Sequence, residues 1–149
     1  GMDVIAWSRN LTAERAAAAG ARLVDKQALL READVVTLHL VLSERSRGTI
    51  GAADLALMKR TAFLVNTSRG PLVDQAALIA ALTEGRIAGA GLDVFDQEPL
   101  PAGHPLLAAP NTVLTPHLGY VTEENFRAYY ASAVESILGY CAGTPVRQI

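Results

Sequence analysis

The stretch AFLVNTSRGPLVDQAALIAALTEGRIAGAGLDV, residues 62–94, decides the fold. Ala62 to Asn66 is a short run of β-favouring apolar residues that stops before Gly70 and Pro71, so it reads as a strand. Asp74 stands as an N-cap before Leu78, Ala81 and Leu82, and Gly85 stands where a helix ends in a left-handed residue. Gly89 to Val94 then reads as a second strand. Strand, helix and strand in this order predict a crossover connection between parallel neighbours.

Outward from this unit the same alternation continues. Further strands are predicted at Asp3 to Trp7, Arg22 to Val24, Val35 to Leu40 and Thr112 to Leu114. Most are apolar throughout, the pattern of strands buried on both faces. Four prolines between Asp96 and Asn111 make that segment mostly loop. After Thr122, an N-cap, the residues Phe126, Tyr129, Tyr130, Ala133, Val134, Ile137, Leu138 and Cys141 recur at three- and four-residue steps, predicting a helix over 122–141 about 30 Å long. The fold class is therefore α/β, with a parallel sheet and a long C-terminal helix.

Half of the 149 residues are hydrophobic, enough for a real core and against disorder. The net charge of -2, with acids and bases interspersed, leaves no basic stripe for nucleic acid. No apolar stretch approaches the ~20 residues of a bilayer span, and the N-terminus has no signal-peptide pattern. A single cysteine, Cys141, without CxxC or a Cys/His cluster, suggests neither disulfide nor metal. These features predict a soluble, cytoplasmic chain whose partner is a small molecule, with no metal, nucleic acid or membrane.

Three segments lie just past predicted strands: Asn66-Thr67-Ser68-Arg69-Gly70, Asp93-Val94-Phe95-Asp96-Gln97-Glu98-Pro99 and Thr115-Pro116-His117-Leu118-Gly119. Parallel strands point their carboxyl ends to one edge, where α/β proteins hold ligands, so Arg69, Glu98 and His117 are expected to converge. The set suits hydride transfer to a 2-keto acid. A guanidinium grips a carboxylate through paired hydrogen bonds and polarises the adjacent carbonyl. His117 would give the proton to the developing alkoxide, and Glu98 would favour its imidazolium form. Singly, each has an ordinary reading as a surface ion-pair partner or a cap. His39 reads as a packed or cofactor-lining residue, His104 as a local cap, and Trp7, Tyr129 and Tyr130 as core or interface residues.

Taken together, residues 64–70, Gly91-Leu92-Asp93-Val94-Phe95, Glu98-Pro99 and residues 110–119 resemble the D-isomer-specific 2-hydroxyacid dehydrogenases, in order and over nearly the whole chain. The resemblance implies Arg69, Glu98 and His117 as catalytic residues, Asp93 on the nicotinamide carboxamide, and Thr67 and Gly119 among the cofactor-binding residues. It implies a small 2-keto or 2-hydroxy acid as substrate. Formate dehydrogenases of the family carry glutamine where this chain has Glu98, which counts against that branch. Near the third strand the family often has His-x-Pro-Leu-Thr, whereas here Val41 replaces the proline and leaves open the path of the loop over the cofactor.

The first strand ends in Ser8-Arg9-Asn10. An acidic residue there binds the ribose 2′-hydroxyl of NAD, whereas an arginine accommodates the 2′-phosphate of NADP, so Ser8 and Arg9 slightly favour NADP over NAD as the cofactor. The chain has no GxGxxG turn. Residues 1–149 are thus expected to form a partial, Rossmann-type dinucleotide-binding domain without its first strand and glycine-rich turn, and without the family's substrate domain. Two consequences are expected: negligible turnover by this chain alone, and either self-association into a homo-oligomer, by strand or helix exchange, or membership of a longer protein. The competing reading is a non-catalytic module that keeps the fold for binding or assembly, as corepressor relatives do.

Overall fold

The computed structural model describes residues 1–147. It divides into two compact units, Gly1–Pro116 and a second that begins at His117.

All six predicted strands form in the first unit: β1 (Ile5–Ala6), β2 (Arg22–Leu23), β3 (Val35–Leu38), β4 (Phe63–Asn66), β5 (Gly89–Leu92) and β6 (Thr112–Leu114). Every pairing is parallel, but the strands make two sheets, β1-β2 and β3-β4-β5-β6. Register is continuous across the larger sheet, with Leu38 opposite Asn66, Asn66 opposite Leu92 and Leu92 opposite Leu114, so all four strands end at one level.

Four helices join the strands: α1 (Ala13–Ala18), α2 (Lys26–Glu32), α3 (Ala52–Leu55) and α4 (Gln75–Thr83). Their starts follow from capping. The side chains of Thr12, Asp25 and Asp74 accept hydrogen bonds from the amides of Arg15, Ala28 and Ala77, satisfying donors that a first turn leaves open. After α4 the chain turns at Gly85, whose φ of +62° is the left-handed conformation expected there. The proline-rich segment is loop apart from a single 3-10 turn, Pro105–Ala108, which His104 caps by accepting from the Leu106 amide, as the sequence predicts.

The core lies on one face of the four-stranded sheet, where Val36, Leu38, Leu64 and Leu92 meet Leu30, Leu55, Leu78 and Leu106. A fully buried leucine of this kind contributes roughly 1.5–3 kcal/mol. The expectation of strands buried on both faces fails here. β3 alternates exposed and buried, and Val35, Phe63 and Val113 on the other face are 49%, 48% and 70% exposed. The apolar runs therefore belong to a sheet whose second face is exposed at these positions among the described residues. His39 is likewise not packed: it is exposed, and its Nε2 lies 3.0 Å from the Thr37 hydroxyl.

In the second unit Thr122 caps α5 (Glu123–Cys141) by accepting from the Asn125 amide, and Glu123 and Glu124 place negative charge at the positive end of the helix dipole. None of its residues is buried. Tyr129 and Tyr130, read as core or interface, are not core in this chain, at 55% and 67% exposed; Tyr130 stacks on Phe126.

Candidate functional site

Arg69 owes its position to Asn66, the last residue of β4 and 1% exposed. The Asn66 Nδ2 donates to the Arg69 carbonyl at 2.9 Å, and its Oδ1 accepts from the Ser68 amide at 3.1 Å. One buried amide thus closes the turn that aims Arg69, as short polar side chains do when they bond to the backbone two or three residues on. The Ser68 hydroxyl ties this turn to β3 by donating to the Leu40 carbonyl at 2.9 Å. Arg69 itself is exposed, its Nη1 donates to the Ser68 carbonyl at 2.6 Å, and among the described residues it makes no ion pair. A guanidinium held at a strand tip and left open is poised for an anionic ligand.

Gly70 fixes the next contact. A Cβ there would fall 2.1 Å from the Phe95 carbonyl carbon and 2.6 Å from the Asp96 nitrogen, so the loops after β4 and β5 meet backbone to backbone. At that point the Phe95 amide donates to Glu98 Oε1 at 2.9 Å. Arg69 and Glu98 are thereby brought to adjoining loops at the carboxyl edge. Asp93, directly after β5 and 5% exposed, accepts the Thr115 hydroxyl at 2.5 Å, and its amide donates to the Asn66 carbonyl. Thr67 is exposed at the same edge.

His117 opens the second unit. Its φ of +58° is the left-handed conformation, uncommon for a side chain with a Cβ, and its ring meets Tyr120 edge-on with centroids 6.0 Å apart. Gly119 lies exposed two residues on. Backbone conformation of this kind is recurrent at functional positions.

Asp96, beside Glu98 in sequence, has its carboxyl raised above the usual range, first by burial. The Asp74 carboxylate adds to the rise, while Arg47 and His104 oppose it.

Ser8 and Arg9 follow β1, at the edge of a second feature that sequence reasoning did not single out. A pocket of about 400 Å³ opens between the β1 tip and the loop after β3, lined by Trp7, Arg9, Asn10, Lys26, Arg45 and Arg47 among others. Lys26 is structural here: its Nζ donates to the Thr49 carbonyl at 2.5 Å, pairs with Asp54 at 2.7 Å and lies 5.9 Å from the Trp7 ring centre. The loop that lacks the family's proline is held by Ser46 instead. The Ser46 hydroxyl donates to the Val41 carbonyl and accepts from the Ser43 amide, each at 2.7 Å. A donor set of guanidinia, hydroxyls and one carboxamide suits a phosphorylated ribose. The only sequence signal for this wall was the run Arg45-Ser46-Arg47 itself.

Among the described residues no group of three His, Cys, Asp or Glu side chains is placed to hold a metal, and no helix is long and apolar enough to cross a membrane.

Comparison with known proteins gives one consistent answer. A family model described as "D-isomer specific 2-hydroxyacid dehydrogenase, NAD binding domain" matches residues 1–119. A glyoxylate reductase of Aeropyrum pernix is 44% identical over 96% of this chain and 43% of its own length. A glyoxylate/hydroxypyruvate reductase B of Citrobacter koseri is 48% identical over 83% of this chain and 38% of its own. The NAD-complexed D-isomer specific 2-hydroxyacid dehydrogenase of Lactobacillus delbrueckii ssp. bulgaricus superposes with a TM-score of 0.80 at 34% identity, over 99% of this chain and 48% of that one. The chain thus spans about two-fifths of the length of the curated relatives it matches.

Proposed function

The chain belongs to the D-isomer specific 2-hydroxyacid dehydrogenases, through their NAD-binding domain, and on that premise we propose that it serves hydride exchange between a nicotinamide cofactor and a small 2-keto or 2-hydroxy acid. The observation that carries this reading is Arg69, exposed and without an ion pair among the described residues, on a turn closed by the buried Asn66. Bound cofactor supplies the hydride. Arg69 binds the substrate carboxylate through paired hydrogen bonds and draws electron density from the neighbouring carbonyl, which orients the reacting carbon. His117 gives the proton that the carbonyl oxygen takes up as negative charge develops there, and Glu98 is assigned as its carboxylate partner. Asp93 and Thr67 meet the nicotinamide end, and Gly119 is assigned to the cofactor as well.

At the other end the donor set of the pocket fits a phosphorylated ribose. With Ser8 and Arg9 after β1 in place of a carboxylate, the cofactor taken is NADP in preference to NAD. The protein works in the cytoplasm. The 149-residue chain binds the cofactor, but its turnover of glyoxylate or hydroxypyruvate is negligible, since the sequence carries no glycine-rich pyrophosphate turn. The exposed apolar face of α5 is covered in the working protein, by a second copy or by further chain.

Titration of the isotope-labelled chain with NADPH, followed by amide shifts and NADPH oxidation, tests this. Shifts are expected at Arg9, Ser68, Arg69 and Asp93 without oxidation of NADPH in the presence of glyoxylate. Silence at Arg69 and Asp93 refutes the nicotinamide assignment, and measurable oxidation refutes the inactivity.

A further inference from the structure

Three arginines line the pocket between the β1 tip and the loop after β3, and their circumstances differ. Arg9 comes from the first wall. Arg47, from the second, lies close enough to Asp96 to hold down that carboxyl, so part of its field is already answered. Arg45, also from the second wall, is exposed and makes no hydrogen bond or ion pair among the described residues. Its loop is set before any ligand arrives. The Ser46 and Arg47 amides donate to the Ser43 carbonyl at 3.0 and 2.9 Å, the Thr49 hydroxyl donates to the Ser46 carbonyl at 2.6 Å, and the Gly48 amide donates to the Pro71 carbonyl at 2.8 Å. A turn so constrained adds little backbone ordering cost when its guanidinium binds, which favours a selective contact.

We propose that Arg45 is a specificity-determining residue. Together with Arg9 from the opposite wall, it forms a two-sided clamp for a phosphomonoester on the 2′ position of an adenosine ribose. The inference rests on the dinucleotide reading above and deepens it from one arginine at a strand end to a pair facing one pocket. The pocket volume of about 400 Å³ is that of a small-molecule site. Arg9 stands after the strand whose end meets the ribose 2′ position in dinucleotide folds, so a second guanidinium lining the same pocket is placed for that position rather than for the pyrophosphate. A dianionic phosphate between two guanidinia satisfies both, whereas a bare 2′-hydroxyl leaves them facing each other across the pocket.

The test is calorimetric titration of the 149-residue chain with 2′,5′-ADP, 3′,5′-ADP and 5′-AMP, using wild type, Arg45→Gln, Arg9→Gln and Arg31→Gln. Arg31 is exposed on α2, bonded to Gln27, and serves as a charge control. Wild type is expected to prefer 2′,5′-ADP over both other probes by about 10-fold, or about 1.4 kcal/mol. Arg45→Gln and Arg9→Gln should each remove most of that preference and leave 5′-AMP binding within about twofold, while Arg31→Gln changes nothing. An Arg45→Gln variant that keeps the wild-type preference overturns the inference. So does equal binding of 2′,5′-ADP and 3′,5′-ADP, which would indicate attraction to any phosphate. Binding of 5′-AMP with no preference overturns the clamp and leaves the dinucleotide reading standing, whereas binding of none of the three overturns both.

Discussion

Gly70→Ala isolates the contact on which the Arg69 and Glu98 loops depend. The added methyl would lie 2.1 Å from the Phe95 carbonyl carbon and 2.2 Å from its oxygen, well inside any real approach of a Cβ. The obstacles are backbone atoms, so no rotamer change relieves them, and the two loops must part by more than an ångström. Overpacking of a buried position costs roughly 1–3 kcal/mol, and a backbone obstacle belongs at the top of that range. With about 2–4 °C of melting temperature lost per kcal/mol in a chain of this size, the variant should melt roughly 6–12 °C below wild type. Gly85→Ala is the control. It has open space around its Cβ and a φ of +62°, so it bears only the left-handed backbone cost of roughly 1–2 kcal/mol. Thermal unfolding followed by circular dichroism ranks the two, and hydrogen exchange should show faster loss of protection at the Phe95 amide, which Glu98 holds. A Gly70→Ala protein that melts no lower than Gly85→Ala, with Phe95 still protected, refutes the close approach as the reason for glycine.

Two further outcomes follow from single side chains. Asn66→Ala strips the Ser68 amide and Arg69 carbonyl of their buried partner and should cost about 2–3 kcal/mol in chemical unfolding; Asn66→Asp keeps the acceptor but buries a carboxylate against the Arg69 carbonyl, so its deficit should be larger at pH 7 than at pH 4. Asp96 carries a carboxyl raised above 3.8, chiefly by burial, so the folded chain holds that proton more tightly than the unfolded one and stability falls as pH rises through the carboxylate range. Asp96→Asn should therefore be more stable than wild type at pH 7, by less than about 1 kcal/mol because the side chain remains exposed, with the gap closing below pH 3.8. An unchanged gap across that range in pH-dependent melting would contradict it.

The sequence carried some of this structure in legible form because the responsible interactions are local. Asp74 and Gly85 mark the two ends of α4, and Thr122 marks the start of α5, since capping acts within three or four residues. The helices α1, α2 and α3, of six, seven and four residues, left no periodic trace, because so short an element has no room for one. Strand polarity misled for a related reason. An apolar run records what a strand would bury when its sheet is covered on both sides, and Val35, Phe63 and Val113 stay exposed among the described residues. At the site, Arg69 and Glu98 stood out by residue type, whereas the roles of Asn66 and Lys26 did not. Lys26 meets Thr49 and Asp54, more than twenty residues away, and nothing in its own neighbourhood announces either partner.

Those nonlocal contacts explain how the β1 tip and the tips of β4 and β5 are held in one arrangement. The sheets β1-β2 and β3-β4-β5-β6 share no hydrogen-bonded strand, so the ladder itself does not align the β1 tip with the tips of β4 and β5. The alignment comes from side chains that reach backbone. Lys26, at the start of α2, fastens the first sheet's helix to Thr49 in the loop that carries Arg45. Ser68 fastens the Arg69 turn to Leu40, which lines the same pocket as Arg9. Asn66 closes the turn, Gly70 seats it on Phe95, and Phe95 holds Glu98. Each link is a bond to main chain or a main-chain packing contact, so exposed guanidinia at both ends stand on supports that do not depend on their own contacts. Charge can therefore be altered at Arg9, Arg45 or Arg69 with little effect on the fold, and loss of Ser68 or Lys26 acts on both ends of the edge together.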